Sequence, residues 1–190
     1  MEAVHPRRWT RQEYEQLVAL GVLRPDERVE LIEGEIVETP PQLSRHTTGV
    51  HLAYEALRAI YGAGFVVRVQ SPLALGQYSE PEPDVAVVAG SLRDFADAHP
   101  TSALLVLEVS DTTLSFDRQT KASLYAAAGI PEYWILNLVH RQLELHREPD
   151  PMPDTTYGFG YRTRTIVLAG GVVAVPGLSD THLAVADLLP

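Results

Sequence analysis

Cysteine is absent from this 190-residue chain, which excludes disulfides, thiol nucleophiles and every cysteine-ligated zinc or iron–sulfur centre. Any metal must be held by oxygen or histidine. Long apolar runs are also missing, so no stretch reads as a membrane span, and Met1 to Arg8 lack the apolar core of a secretion signal. The cytoplasm is the expected location. Asn137 is the one asparagine and methionine occurs twice, a shortage of heat-labile side chains that would suit a thermophile. Positive charge is in deficit too, with 15 Lys and Arg against 25 Asp and Glu, a net charge of −10. Proteins that grip phosphate backbones usually show the reverse balance. An acidic chain can nevertheless carry carboxylates whose charge a bound cation offsets.

The sharpest scarcity is lysine. Lys121 stands alone beside fourteen arginines, and a lysine differs from an arginine in being a compact point charge whose proton affinity its surroundings can move. It lies four residues after Asp117 and thirteen after Glu108, in Leu107-Glu108-Val-Ser110 and Asp117-Arg-Gln-Thr-Lys121. The plain alternative is a surface ion pair of Asp117 with Lys121 on a helix, contributing about 0.3–0.5 kcal/mol.

With 45% apolar and 21% charged residues the chain can fill one core, and it is expected to form one domain over 1–190, its core at about 10–180 after an extension at 1–9. Thr10-Arg-Gln-Glu13 is a capping box opening a short helix that runs to Gly21. Arg28 to Val37 reads as a strand or hairpin around Gly34, and Ser44 to Tyr61 as a helix with His46, Val50, Ala53 and Leu57 on its buried stripe. Three strands are expected at 65–70, 73–75 and 85–88, then a short helix near 91–98, a strand at 104–109, a helix from Phe116 to Ala128 closed by Gly129, and a strand at 131–138. The strand, helix, strand order predicts parallel pairing across that helix. Later strands are expected at 142–146, 161–168 and 172–175, with a proline-rich loop at 148–153 and a turn at Gly170-Gly171. The fold class is α/β with mixed α+β character.

Asp84 begins a strand and Glu108 ends a later one, so antiparallel pairing would set their carboxylates side by side. A charge amid Leu-Val-Leu-Glu108-Val forces either a pKa shift or a compensating cation, and two carboxylates with a backbone carbonyl and waters suit magnesium or manganese. Helical side chains tilt towards the N-terminus, which points Lys121 back at Glu108, where it could position a water. Asp117 and Tyr125 share that helix face. A turn role for Asp84 and an exposed strand-end role for Glu108 are the plain alternatives.

Taken together, Glu30-Leu-Ile-Glu-Gly34, His46, Glu82-Pro-Asp84-Val-Ala-Val-Val88, Glu108-Val-Ser-Asp and the block from Asp117 to Trp134 resemble the Uma-type family of predicted restriction endonucleases. The resemblance implies a restriction-endonuclease-like core of the PD-(D/E)xK superfamily, with a mixed central β-sheet flanked by helices, a divalent metal and phosphodiester hydrolysis. It implies Asp84 and Glu108 as metal ligands, Lys121 as a lysine migrated from the strand position held by Ser110, and Glu30 as a further site acid, with Glu33 and Glu35 competing for that place. His46 is an auxiliary candidate. The expected substrate is DNA and the expected cofactor Mg2+, with Mn2+ as a substitute. Cutting both strands would call for a homodimer. A non-catalytic assembly module and a hydrolase of a smaller phosphoester remain as alternatives, and a DNA-cleaving site is expected to gather Arg7, Arg8, Arg45, Arg68 and Arg118 around its carboxylates.

Overall fold

The computed structural model describes residues 5–24, 26–178 and 180–190. Thr10 caps helix α1 (Arg11–Ala19) through the reciprocal box with Glu13 read from the sequence. Strands β1 (Val29–Ile32) and β2 (Glu35–Glu38) form a hairpin whose two turn residues, Glu33 and Gly34, both have positive φ. That backbone matches the twist of the paired strands. A side chain at Gly34 would also meet the Cβ of Arg8 at 2.6 Å, because the segment preceding α1 runs across the turn. Helix α2 (Ser44–Ile60) follows.

The central sheet holds six strands in the order β3 (Phe65–Val69), β4 (Val85–Ala89), β5 (Leu105–Ser110), β6 (Glu132–Asn137), β7 (Gln142–Pro151) and β8 (Phe159–Leu168). Only β5 and β6 run parallel, joined by the intervening helix as strand order predicted; the other neighbours are antiparallel. The alternation of side chains divides the core in two. Val85, Val87, Leu105, Leu107 and Trp134 face α2 and the small pair β9 (Val172–Ala174) and β10 (His182–Ala184). Ala86, Val88, Val106, Tyr133 and Ile135 face the helix that follows β5. By the same parity Asp84, Glu108 and Ser110 fall on that second face.

This helix, α3, is composite: an α turn at Leu114–Phe116, a π turn at Asp117–Lys121 and an α segment at Ala122–Ala127. It begins slightly before the expected Phe116 and closes at Gly129, whose φ is +71°. Three other local expectations are corrected. Leu73 to Leu75 is buried but joins no sheet, being held by isolated bonds such as Leu73 N–H to Pro81 O. The segment at 91–98 is a single 3-10 turn, Leu92–Phe95. The expected loop at 148–153 is largely strand, since Pro149 and Pro151 sit opposite Tyr161 and Phe159 at the end of β7, where the sheet tolerates prolines.

At the far end of the sheet, Glu144 is fully buried and takes hydrogen bonds from Arg118, Asn137, Gln142 and Arg164. Burial alone would raise its pKa, but those bonds and the arginine charges win and hold it at about 2. An acid held below its unfolded value of about 4.5 stabilises the fold above that pH, and the contribution fades as pH falls from about 4.5 towards 2. Glu144→Gln is therefore expected to cost on the order of 3 kcal/mol at pH 7 and much less at pH 3, read from urea denaturation at both values.

Candidate active site

Pairing of β4 with β5 puts Val85 opposite Leu107, which brings Asp84 and Glu108 together at one edge of the α3 face. The two acids clasp each other's backbone: Asp84 N–H donates to Glu108 Oε2 at 3.1 Å, and Val109 N–H donates to Asp84 Oδ2 at 2.8 Å. Each carboxylate keeps its other oxygen for the cleft. Asp84 Oδ1 receives the Gln70 amide at 3.3 Å and lies 3.2 Å from His46 Nε2. Glu108 Oε1 receives the Tyr125 hydroxyl at 2.7 Å and stands 3.2 Å from Lys121 Nζ.

Lys121 is no surface residue. It is 3% exposed and its ammonium sits between Glu30, at 2.5 Å, and Glu108. The alternative of a surface Asp117–Lys121 ion pair does not hold, and Lys121 points at Glu108 as the helix geometry predicted. Asp117 instead accepts from Thr113 at 2.7 Å, because the π turn changes which side chains one turn apart confront each other.

Burial pushes the Glu108 carboxyl well above the usual range; Lys121 pulls it back, while Asp84, Asp117 and Glu30 push further. Burial also works against the Lys121 charge, but Glu108, Glu30 and Asp117 outweigh it and hold the ammonium above the ordinary lysine value. Asp117 is raised by burial and lowered by Thr113 and Ser110, although the buried Ser110 hydroxyl completes no well-formed hydrogen bond. The group therefore keeps a charged lysine and carries more carboxylate than one cation balances.

These side chains form the floor of a cleft of about 470 Å³ between α1, the β1–β2 hairpin, the 39–43 segment and the start of α3. All seven candidates reach this locality. Asp84, Glu108, Lys121, Glu30, His46 and Asp117 line the cleft, and Tyr125 supports Glu108 from behind. Glu33 turns away to Arg8 and Ser79, and Glu35 is exposed, which leaves Glu30 as the hairpin acid of the site.

The arginine expectation fails. Arg7 pairs with Glu13, Arg8 with Glu33, Arg118 with Glu144, Arg45 donates to Leu138 O, and Arg68 sits against His99 and Phe95. None of the five lines the cleft; Arg24 and Arg28 do. These commitments are made across the fold, with partners up to 93 residues away.

A family model described as "Putative restriction endonuclease", Uma2, matches residues 11–186. The chain belongs to the Uma2 family. Its mixed sheet and flanking helices are also similar to a crystal structure from Anabaena variabilis described as a "putative nuclease belonging to DUF820". The TM-score is 0.69 at 14% identity, over 94% of this chain and 96% of that one, a likeness of fold, here restriction-endonuclease-like. No curated protein matches.

In this Uma2 chain Ser110 occupies the strand position two residues after Glu108, and Lys121 reaches the same carboxylate from α3. Gln70 and Glu82 join the cleft without having been singled out as site residues. Glu82 had a signal, its place in Glu82-Pro-Asp84. Gln70 had none, because its approach to Asp84 depends on a residue with φ of +43° at the end of β3.

Proposed function

We propose that this chain is a divalent-metal-dependent nuclease acting on DNA, with Asp84 and Glu108 as metal ligands and Lys121 positioning the attacking water. The observation that carries the reading is the convergence of Asp84, Glu108, Glu30 and Lys121 on one cleft floor, with Lys121 buried as a cation 3.2 Å from Glu108. Among the described residues no three His, Cys, Asp or Glu side chains form a ready metal cage. The donor set still fits Mg2+ or Mn2+. Hard dications of this kind bind through one or two carboxylates and leave other positions to water and phosphate oxygens, and the surplus carboxylate around Glu108 is the environment such a charge relieves. A bound dication would supply Lewis-acid polarisation of a phosphate oxygen.

The chain's own groups account for the rest. His46 and Gln70 orient Asp84, and Tyr125 orients Glu108. Lys121, held charged, donates hydrogen bonds to the water and to the phosphate oxygens on which negative charge grows; it is not the base. In hydrolysis the water oxygen bonds to phosphorus and the ester bond to the leaving sugar oxygen breaks. A water proton is released, and the leaving oxygen takes one up from solvent. That none of Arg7, Arg8, Arg45, Arg68 and Arg118 lines the cleft, which has only Arg24 and Arg28 beside Lys121, favours one second reading, a hydrolase of a smaller phosphoester.

Calorimetric titration with Mg2+ and Mn2+ tests the ligand assignment. Saturable binding is expected for the wild type and its loss in Asp84→Ala/Glu108→Ala. Binding that survives in the double variant would remove both residues as ligands.

A further inference from the structure

Resting on the nuclease reading, we propose that the cleft takes an unpaired nucleic-acid strand, such as a single strand, a flap or a frayed end, and does not cut the backbone of an intact duplex. Depth is the first reason. Asp84, Glu108 and Lys121 are 7%, 6% and 3% exposed at the floor of the 470 Å³ cleft. That volume suits a ligand of about one or two nucleotides, within the range of small-ligand pockets. A paired strand lies on the outside of a stiff, convex rod, whereas an unpaired strand is flexible enough to bend its backbone down into such a recess.

Charge is the second reason. Proteins that hold duplexes commonly neutralise about 6–10 phosphates. Here the lining cations are Arg24 and Arg28 at the mouth and Lys121 on the floor, while Glu27, Glu38 and Asp111 add to the acids of the site. Arg24 is already paired with Glu27 at 3.1 Å. Arg28 bonds only to Pro40 O, at 3.4 Å, and among the described residues has no carboxylate within 4 Å. It is the cleft's available phosphate contact.

The third reason is the wall. Val18 and Leu43, 50% and 63% exposed, stand with Pro40, Pro41 and Phe116 along the cleft. Unpaired bases present apolar faces that pack on such surfaces irrespective of sequence, whereas paired bases keep those faces inside the stack.

The test compares 5′-fluorescein 30-mers as a single strand, a blunt duplex and a duplex with a flap, with Mn2+ present. Cleavage is followed with the wild type and anisotropy with Glu108→Gln. Single strand and flap are expected to be cut at least tenfold faster than the duplex and bound correspondingly tighter. Arg28→Ala is expected to raise the single-strand Kd several-fold and lower its salt slope by about one. Leu43→Glu should weaken that binding as well. A duplex cut as fast as the single strand overturns the proposal while leaving the nuclease reading standing. No binding and no cutting of any oligonucleotide removes both.

Discussion

Methionine in place of Lys121 is expected to cost on the order of 3–5 kcal/mol of folding stability and to abolish hydrolysis. The stability effect follows from what the ammonium leaves behind. Glu30 and Glu108 are 7% and 6% exposed and share this cation, so its removal leaves Glu30 buried without its ion-pair partner and drives Glu108 further towards its neutral form. Loss of one partner from a buried ion pair is among the most damaging single changes, because the remaining charge keeps its full desolvation cost. The double variant Glu108→Gln/Lys121→Met separates the two consequences. It removes one of the two buried acids that the ammonium served and is expected to recover part of the stability, yet to stay inactive. Urea denaturation of wild type, single and double variants reads the coupling; a Lys121→Met protein as stable as wild type would show that the ion pairs contribute little.

The second large effect is expected at Glu108 and runs in opposite directions for stability and activity. Burial and the carboxylates of Asp84, Asp117 and Glu30 raise the Glu108 pKa above its unfolded value of about 4.5, more than Lys121 lowers it. For an acid raised in the fold, the stability present below about 4.5 is lost as pH rises towards the folded pKa. A neutral amide of the same shape does not suffer that loss. Glu108→Gln should therefore match the wild type near pH 4 and be the more stable protein at pH 8, measured as melting temperature across that range. Activity should fall by 10³-fold or more, the direction seen where a site stores unfavourable charge for function. A wild type more stable than Glu108→Gln at pH 8 would mean that the charged carboxylate is a net stabiliser and that the pairing with Lys121 outweighs burial.

Much of this arrangement was legible from residues alone. Thr10 with Glu13 marked the start of α1, the stripe from His46 to Leu57 marked α2, and the positions of Asp84 and Glu108 at opposite ends of two apolar runs marked their meeting on antiparallel strands. These signals are local or depend on one pairing. What escaped depends on geometry that no spacing encodes. The direction of Lys121 towards Glu108 was legible, but the π turn at Asp117–Lys121 and the close contact with Glu30, 91 residues earlier on a separate hairpin, were not. Prolines at 149 and 151 suggested a loop, yet they fall at the end of a long ladder where their missing donors are tolerated. Arginines expected at the site are held by acids and carbonyls that come close only in the finished fold, as Arg118 is by Glu144.

Incubation of a circular single-stranded DNA with Mn2+, comparing wild type with Glu108→Gln purified in parallel and shown to be folded by its melting curve, tests the proposed active site most directly. Conversion of circles to linear and shorter products by the wild type alone is the expected result. Equal conversion by both proteins, or by neither, would contradict the assignment of Glu108 and its neighbours as a phosphodiester-cleaving site.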